Sequence, residues 1–363
     1  MPKPDDIVMP EVSTVDIRLD SVQTIIQSMV LMGRSEELSG LSSWIYETTN
    51  ALTPEQKTTH NLVLIGFHYA VLPTRLWKDF PTYLAHLESS DPISLRDNVL
   101  DFYISFEPCD GASQEIEANK EMLLADVDFF MDYLRTKFGE DSIDPKIEEK
   151  AHQLLNEPGK MQQVIVSHLK FMWEKYFQAE CERITPMLTD AVMAFEEIDY
   201  RNMSREETAK YITGKDFDEE KWDLNSKEIS QLIFVPSAHI GPYLGRFQYK
   251  NALGVVFGAR LPEDTKIHAP DLSRNEINIR LSALADDVRL HILQLIAEEG
   301  ELRSQEIMER LEISQSASSR HLKQLSATGY LIERRCSGAK CYTLNGERVQ
   351  DTLRAVSAFL LCD

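Results

Sequence analysis

The stretch 311–330 constrains the fold of this chain more than any other. Ser314 is a good helix N-cap, because its side-chain oxygen can accept a hydrogen bond from a backbone N–H that the first turn leaves unpaired. Apolar residues then recur at helical spacing until Gly329, which is placed to end the helix. Only residues 312–314 separate this helix from one predicted at 305–311. Two helices joined by so short a turn are typical of a helix-turn-helix unit.

The opposite face of the predicted helix is polar and contains no Asp or Glu. Its residues are short hydrogen-bonding groups and cations, namely Gln315, Ser316, Ser319, Arg320 and Lys323. In a chain whose net charge is −21, a helix face without carboxylates indicates a polyanionic partner. Gln and Arg suit base edges, and Ser and Lys suit phosphates, so the face predicts a helix that enters the DNA major groove.

The negative charge is distributed unevenly along the chain. Residues 273–345 carry ten Lys or Arg and ten Asp or Glu, whereas residues 1–272 carry 26 and 46. Almost all the excess negative charge therefore precedes the helix-turn-helix, and the charge distribution, unlike the net charge, is compatible with DNA. Long-range attraction should still be weak.

The length of 363 residues predicts two domains, and the helical patterns predict a mainly α fold. Helical patterns cover about residues 19–199, including long ones at 113–138 and 161–199. β-branched and aromatic runs bounded by Pro and Gly lie near 229–258 and predict a small antiparallel β-sheet. We predict a large helical N-terminal domain at 1–260 for sensing or dimerisation, a linker rich in Pro and charge at 261–272, and a C-terminal winged helix-turn-helix domain at 273–363.

The residues after the helix-turn-helix predict a β-hairpin and a final helix. The hairpin has strands at 331–336 and 340–344, with Arg334, Arg335 and Lys340 near its tip. The final helix is amphipathic. Cys336 and Cys341 face each other if residues 338–339 form a two-residue turn, but the geometry of a disulfide is demanding and a reducing cell favours free thiols.

This order of elements is that of a winged helix, and its residues resemble the ArsR-type family of bacterial transcriptional regulators. The matching stretches are Leu284–Leu293, Ser314–Ser316, Ser319–Leu322, Gly329–Ile332 and Arg334–Arg335. The resemblance covers about the last 90 residues and implies a dimer formed by the helices that flank the winged core. It also implies DNA contacts at Ser304, Gln305, Gln315, Ser316, Ser319, Arg320, His321, Arg334, Arg335 and Lys340, to which the polar helix face adds Lys323. The N-terminal region is more loosely similar to uncharacterised domains that are fused ahead of such modules.

The chain departs from the family in two ways. Ser318 stands where an apolar residue is usual, so its hydroxyl is either half-buried and bonded to a backbone carbonyl, or that face is looser than in relatives. Many family members bind metal through Cys pairs in the first helix of the unit or Asp/His pairs in the last helix. Here residues 301–305 and 348–361 contain no Cys or His, so we predict neither a metal site nor another cofactor.

Two groups of residues are candidates for an effector pocket. Trp173, Tyr176 and Phe177 form an aromatic cluster at helical spacing, and such clusters more often belong to a core. His239 and Tyr243 lie in a Pro/Gly-rich loop. They have no nucleophile-elbow or orienting carboxylate nearby, so the sequence does not predict an enzyme.

The sequence thus predicts a cytoplasmic homodimeric regulator, with repression expected, that binds a palindromic site in double-stranded DNA and responds to a possible small-molecule effector. No signal peptide or stretch long enough to span a membrane is evident, and the few scattered Cys suit a reducing compartment. The alternative is a protein-interaction module that uses the winged helix as a protein-binding scaffold.

Overall fold

The computed structural model describes residues 14–106, 117–139, 143–218, 222–226, 228–262, 274–336 and 339–361, apart from the side chains of residues 336, 347, 358 and 361. The chain forms two compact units. The helical unit consists of residues 20–36 and 43–183, and the mixed unit consists of the described parts of 1–19, 37–42 and 184–363. The predicted domain boundaries stay a prediction, and nearly all of the predicted linker lies outside the described residues.

Short helices with side-chain caps build the helical unit. Asp20 accepts a hydrogen bond from the backbone N–H of Gln23 at 3.0 Å, and Thr53 and Gln56 cap each other's backbone N–H groups. Such caps pair N–H groups that have no partner inside the helix. The helices are α1 (Ser21–Gly33), α2 (Ser43–Ala51), α3 (Pro54–Asn61), α4 (His68–Val71), α5 (Phe80–Ser89), α6 (Pro92–Ser105), α7 (Lys120–Ala125), α8 (Val127–Phe138), α9 (Pro145–Leu155) and α10 (Pro158–Met172).

Two predicted long helices are interrupted. The pattern at 113–138 forms α7 and α8, and its residues 113–116 lie outside the described residues. Asp126 follows the first helix, and its carboxylate caps the second by accepting from the N–H of Asp128 at 2.8 Å. Gly139, with φ of +84°, ends α8 as predicted. The pattern at 161–199 forms α10, a π-helical turn at Trp173–Phe177, and α11 (Gln178–Glu196).

A pair of buried histidines lies inside the helical unit. Nε2 of His60 is 2.7 Å from the carbonyl oxygen of Met29, and Nδ1 of His60 is 3.0 Å from Nε2 of His168. The carbonyl can only accept, so Nε2 of His60 carries the proton and Nδ1 accepts from His168. Burial lowers the pKa of His60 to about 4. Burial, and then the charge of His60, lower the pKa of His168 to about 3, so both rings are neutral.

We expect the helical unit to lose stability as the pH falls from 7 to 5. Both histidines protonate in the unfolded chain near their ordinary pKa of 6.5 but stay neutral in the fold, so the unfolded state binds more protons in this window. The loss should be on the order of 2 kcal/mol per histidine. Denaturant unfolding at pH 7, 6 and 5 measures it. His168→Gln keeps a donor for His60 without a titrating group and should remove about half of the loss. The same pH dependence in both proteins contradicts this assignment.

The mixed unit contains a four-stranded sheet in the order β1 (Thr14–Ile17), β2 (Gln231–Ser237), β4 (Ala252–Gly258), β3 (Gly245–Tyr249). Its core contains apolar residues of the strands together with residues of α11 and of α12 (Arg205–Thr213), among them Phe195, Ile212, Leu232, Phe234 and Phe257. Gly254 is needed in β4, because a Cβ there would lie 2.1 Å from the ring of Phe247 on the neighbouring strand.

The prediction that this sheet is antiparallel is wrong for two of its three strand pairs. β1 pairs with β2, and β2 with β4, in parallel, while β3 and β4 form the predicted antiparallel hairpin. The apolar run of β4 indicates the reason. A strand buried on both faces has few alternating polar residues, and such runs are typical of parallel strands. β4 therefore lies between β2 and β3, although β3 precedes it along the chain. The remaining prediction of a mainly α fold with a small sheet is confirmed.

The C-terminal part of the mixed unit is a winged helix. It consists of α13 (Arg274–Leu284), α14 (Asp287–Glu299), β5 (Leu302–Arg303), α15 (Ser304–Leu311), α16 (Gln315–Ala327), β6 (Leu331–Cys336), β7 (Ala339–Leu344) and α17 (Gly346–Leu361). The three strands pair antiparallel in the order β5-β7-β6. Ile292, Leu322, Leu325 and Tyr330 form the centre of its core. The predicted order of elements is confirmed, and the short strand β5 was not predicted.

Candidate DNA-binding surface

The helix α16, which we call the recognition helix, begins and ends as its sequence predicts. The side chain of Ser314 accepts a hydrogen bond from the N–H of Ala317 at 3.3 Å, and Gly329 has φ of +80° just after the helix. The predicted turn at 312–314 joins it to α15, and Glu312 takes the left-handed conformation with φ of +51°. These features fix the angle at which the recognition helix leaves the turn.

The recognition helix presents an exposed polar face. Its exposed members are the predicted Gln315, Ser316, Ser319, Arg320 and Lys323. Arg320 makes no ion pair with the described residues, so its guanidinium is available to an external anion. With no carboxylate in the helix, this face attracts phosphates and offers donors to base edges.

His321, another predicted DNA contact, does not lie on this face. Its side chain is only 6% exposed, and its Nδ1 is 3.7 Å from Oδ1 of Asp286. Asp286 also caps α14 by accepting from the N–H of Arg289 at 3.0 Å. The guanidinium of Arg289 in turn donates to the carbonyls of Ala283 and Ser282 at 2.6 and 2.7 Å, at the end of α13. His321 therefore lies beside the polar groups that join α13 to α14, while its Nδ1 makes no hydrogen bond with the described residues.

Ser318 is fully buried in the recognition helix, and its hydroxyl has no hydrogen-bond partner among the described residues. Of the two alternatives for this residue, a half-buried hydroxyl bonded to a carbonyl is therefore not found. A buried hydroxyl without a partner costs about 1–3 kcal/mol of desolvation.

We expect Ser318→Ala to raise the free energy of unfolding by about 1–3 kcal/mol, because alanine removes the desolvated hydroxyl without adding volume. Denaturant unfolding gives the value. Ser319→Ala, at the exposed neighbour, is the matched control and should differ from the natural protein by about 0.5 kcal/mol or less, the difference in helix propensity. A loss of stability in Ser318→Ala would show that the hydroxyl has a favourable partner.

The wing, β6 and β7, exposes the three predicted cations Arg334, Arg335 and Lys340. Nε of Arg334 donates to Glu301 at 2.7 Å, and Lys340 is 2.7 Å from Glu333. Arg335 makes no ion pair with the described residues. Arg334 and Lys340 must therefore break these ion pairs, or keep them while also binding a phosphate, in order to contact DNA.

The first helix of the unit places its two predicted contacts differently. Gln305 is exposed, and its amide donates to Glu309 at 3.0 Å, whereas Ser304 is half-buried at the first position of α15.

The strand register of the wing does not place the two cysteines opposite each other, as a two-residue turn at 338–339 would have done. Cys341 pairs with Arg334, and Cys336 pairs with Ala339, so the cysteines are not directly opposite each other.

Two residues outside the winged helix also contact the recognition helix, and neither contact was predicted. The hydroxyl of Ser39 donates to the side chain of Gln324, and the ammonium of Lys215 donates to the carbonyl of Ala327, the last residue of the helix. Both contacts join residues more than 100 positions apart, so no local pattern could have revealed them.

The five candidate effector residues are divided between the two units. In the helical unit, Trp173 stacks on Phe80 with centroids 5.3 Å apart, and the buried Phe177 contacts Trp44 edge-on at 5.0 Å, as in a packed core. Tyr176 is half-buried, and its ring lies edge-on to that of Phe171.

In the mixed unit, His239 is buried. Tyr243 donates to the carbonyl of Ser39 at 2.8 Å and lines a small cavity. Among the described residues, no group of three or more His, Cys, Asp or Glu is placed to hold a metal, and no helix is long and apolar enough to cross a membrane.

The geometry defines a winged helix-turn-helix, and comparison with known proteins gives its family. A model of the bacterial regulatory protein, arsR family, matches residues 286–333. The arsenic resistance transcriptional regulator ArsR1 of Pseudomonas putida is 45% identical over 69 residues, which are 19% of this chain and 54% of that protein. The regulator ArsR2 of the same organism is 40% identical over 85 residues, 22% of this chain and 74% of that protein.

The matches lie in the C-terminal winged helix. The chain spans about half the length of one relative and about three quarters of the other. Through this part, the chain belongs to the ArsR family, and the resemblance of its last 90 residues is confirmed.

Proposed function

We propose that this protein is a sequence-specific DNA-binding transcriptional regulator that acts without catalysis. The observation that carries the proposal is the exposed face of the recognition helix. Gln315, Ser319 and Arg320 lie on it without a carboxylate in the helix, and Arg320 makes no ion pair with the described residues. The proposal gains support from the two relatives, both described as transcriptional regulators. We propose a cytoplasmic location, because the matched family is one of bacterial regulators and bacterial DNA lies in the cytoplasm.

The regulator would act as a homodimer on a palindromic site. Leu353 and Leu360 lie seven residues apart on one face of α17 and are 57% and 67% exposed. Ala355 on the same helix is instead buried in a cluster with Ile277 of α13. The exposed leucines therefore lie on a face of α17 that the rest of the chain does not cover. This supports the proposal that a second copy of the chain covers that face. The two-fold of such a dimer would place two recognition helices in successive major grooves.

Repression is the mode of regulation that we propose, because a dimer bound over a promoter blocks transcription by occupancy alone. The signal would act through differential binding to competent and incompetent forms. Both relatives are named for arsenic resistance, but residues 301–305 and 348–361 offer this chain no Cys or His, so we propose a different signal. The alternative function, a protein-binding scaffold, gains less support because the exposed helix face lacks large apolar residues.

A footprint on the DNA upstream of the protein's own coding sequence tests this function. We expect protection of a two-fold symmetric site whose half-sites are about one helical turn, or a multiple of it, apart. Protection of a single half-site would contradict the dimer, and protection independent of sequence would contradict the specific regulator.

A further inference from the structure

A small cavity inside the mixed unit is lined by four cationic side chains, Lys215, Arg260, Arg280 and Arg348. Glu276 is the single carboxylate among its described lining residues. The cavity has a volume of about 50 Å³. Since one water needs about 10–15 Å³ on this scale, the cavity has room for a few waters or for one group of the size of a phosphate.

Among the described residues that line the cavity, four cations surround one carboxylate. Arg260 is 4% exposed, and its Nε is 3.4 Å from Oε1 of Glu276. Arg280 and Arg348 make no ion pair with the described residues, and Nη2 of Arg348 reaches only the carbonyl of Gly214, at 3.4 Å. Several partly desolvated cations around one carboxylate repel each other, and an anion in their midst would relieve that repulsion.

Proton affinities in the cluster report the same repulsion. Burial, followed by the charges of Arg348 and Arg280, lowers the pKa of Lys215 to about 7. Burial, followed by the charge of Arg348, lowers the pKa of Arg280 to about 10. A bound anion would raise both values.

The backbone makes room for this arrangement at Gly214. This residue has φ of +67°, and a Cβ on it would lie 2.3 Å from Nη1 of Arg260. Any other residue would push the guanidinium out of its place beside Glu276. The glycine therefore permits the close approach of backbone and cation at the wall of the cavity.

A wider groove adjoins the cavity and shares Lys215, Tyr243 and Arg348 with it. The groove has a volume of about 630 Å³ and also contains Phe217 and Trp222. A phosphate ester could place its phosphate in the cavity and its organic group against these aromatic rings. A bare phosphate ion would leave the groove empty.

We propose that the cavity binds the phosphate group of a small phosphorylated metabolite, held by Lys215, Arg280 and Arg348. The four cations come from four separate parts of the unit: Lys215 follows α12, Arg260 follows β4, Arg280 lies on α13 and Arg348 lies on α17. The phosphate would therefore join the sheet region to the two helices that flank the winged core.

The contact between Lys215 and Ala327 connects this site with the recognition helix. The ammonium holds the carbonyl at the C-terminal end of that helix, where a cation is favourable. A phosphate would draw the same ammonium into the cavity and weaken its contact with the helix end. Its binding would therefore lower the affinity for DNA, a step that rests on the proposed function.

The binding of phosphate is tested first, without DNA. Calorimetric titration of the full chain with inorganic phosphate, at constant ionic strength against chloride, should show one site per chain. Arg280→Gln and Arg348→Gln should each weaken binding roughly tenfold or more, the loss of one charged hydrogen bond. Arg201→Gln makes the same charge change on an exposed loop and is the matched control.

The unfolding temperature gives a second test, in which the effect of Arg280→Gln without phosphate is opposite to its effect on phosphate binding. Without phosphate, Arg280→Gln should unfold at a higher temperature than the natural protein, because it removes one of the repelling cations. At the same phosphate concentration, the natural protein and Arg201→Gln should gain stability, and Arg280→Gln should gain less. Equal phosphate binding in all four proteins, or no binding in any, refutes the site.

DNA affinity tests the coupling. Phosphate should weaken DNA binding by the natural protein about 5- to 150-fold relative to chloride at the same ionic strength, the usual range for coupled sites. The same phosphate concentration should weaken DNA binding by Arg280→Gln less than DNA binding by the natural protein. Phosphate binding with unchanged DNA affinity refutes the coupling. A chain that binds phosphate but no DNA under any condition contradicts the proposed function and leaves the site intact.

Discussion

Replacing Arg320 and Lys323 together by alanine should lower DNA affinity about 100-fold or more without unfolding the chain. Both side chains are exposed on the recognition helix, so their removal disturbs no core. Each lost base or phosphate contact costs about 1–3 kcal/mol, and a dimer loses each of them twice. The local charge is close to balanced, so few other cations can compensate.

Binding of the double variant is measured on the DNA fragment that footprinting identifies, with circular dichroism as the check on folding. Arg201→Ala with Lys210→Ala removes the same charges from exposed positions of the same unit and should bind as the natural protein does. Unchanged affinity in Arg320→Ala/Lys323→Ala would show that the recognition helix does not contact DNA.

Replacing Leu353 and Leu360 by glutamate should convert the dimer into a monomer and lower DNA affinity about 100-fold or more. Burial of a leucine contributes about 1.5–3 kcal/mol, and a two-fold interface would contain four of these side chains. The glutamates also place like charges opposite each other. A monomer retains the contacts of a single half-site.

Light scattering at micromolar concentration measures the oligomeric state of this variant. Met193→Glu, at another exposed apolar residue of the same unit, is the control and should leave both the mass and the DNA affinity unchanged. A natural protein that is monomeric, or a glutamate variant that stays dimeric, would contradict the proposed role of α17.

The order of the main elements of the winged helix could be predicted from the sequence, because local chemistry determines where they begin and end. Ser314 caps the recognition helix and Gly329 follows its end. The turn that joins α15 to the recognition helix has the predicted length. The same local chemistry placed the exposed cations of the wing. These features depend on neighbours within one or two turns of the chain, which a sequence displays directly.

Other features depend on partners remote in the sequence and could not be predicted. The parallel pairing of β2 with β4 depends on burial of both faces of the sheet. The apolar runs in the sequence are consistent with such burial but do not specify which strands pair. His321 lies at helical spacing with exposed residues, but in the folded chain it is buried, with Nδ1 3.7 Å from Oδ1 of Asp286. Lys215 reaches Ala327 across 112 positions, so the cation cluster emerges only when the chain is folded.

The salt dependence of DNA binding shows whether the cations of the recognition helix contact phosphates. With the footprinted fragment, the logarithm of the association constant of the natural protein should fall linearly with the logarithm of salt concentration, with a slope of about −0.9 for each phosphate contacted. Arg320→Ala/Lys323→Ala should have a shallower slope. An affinity that does not change with salt, or a slope that the double variant leaves unchanged, would contradict the claim that this recognition helix binds DNA.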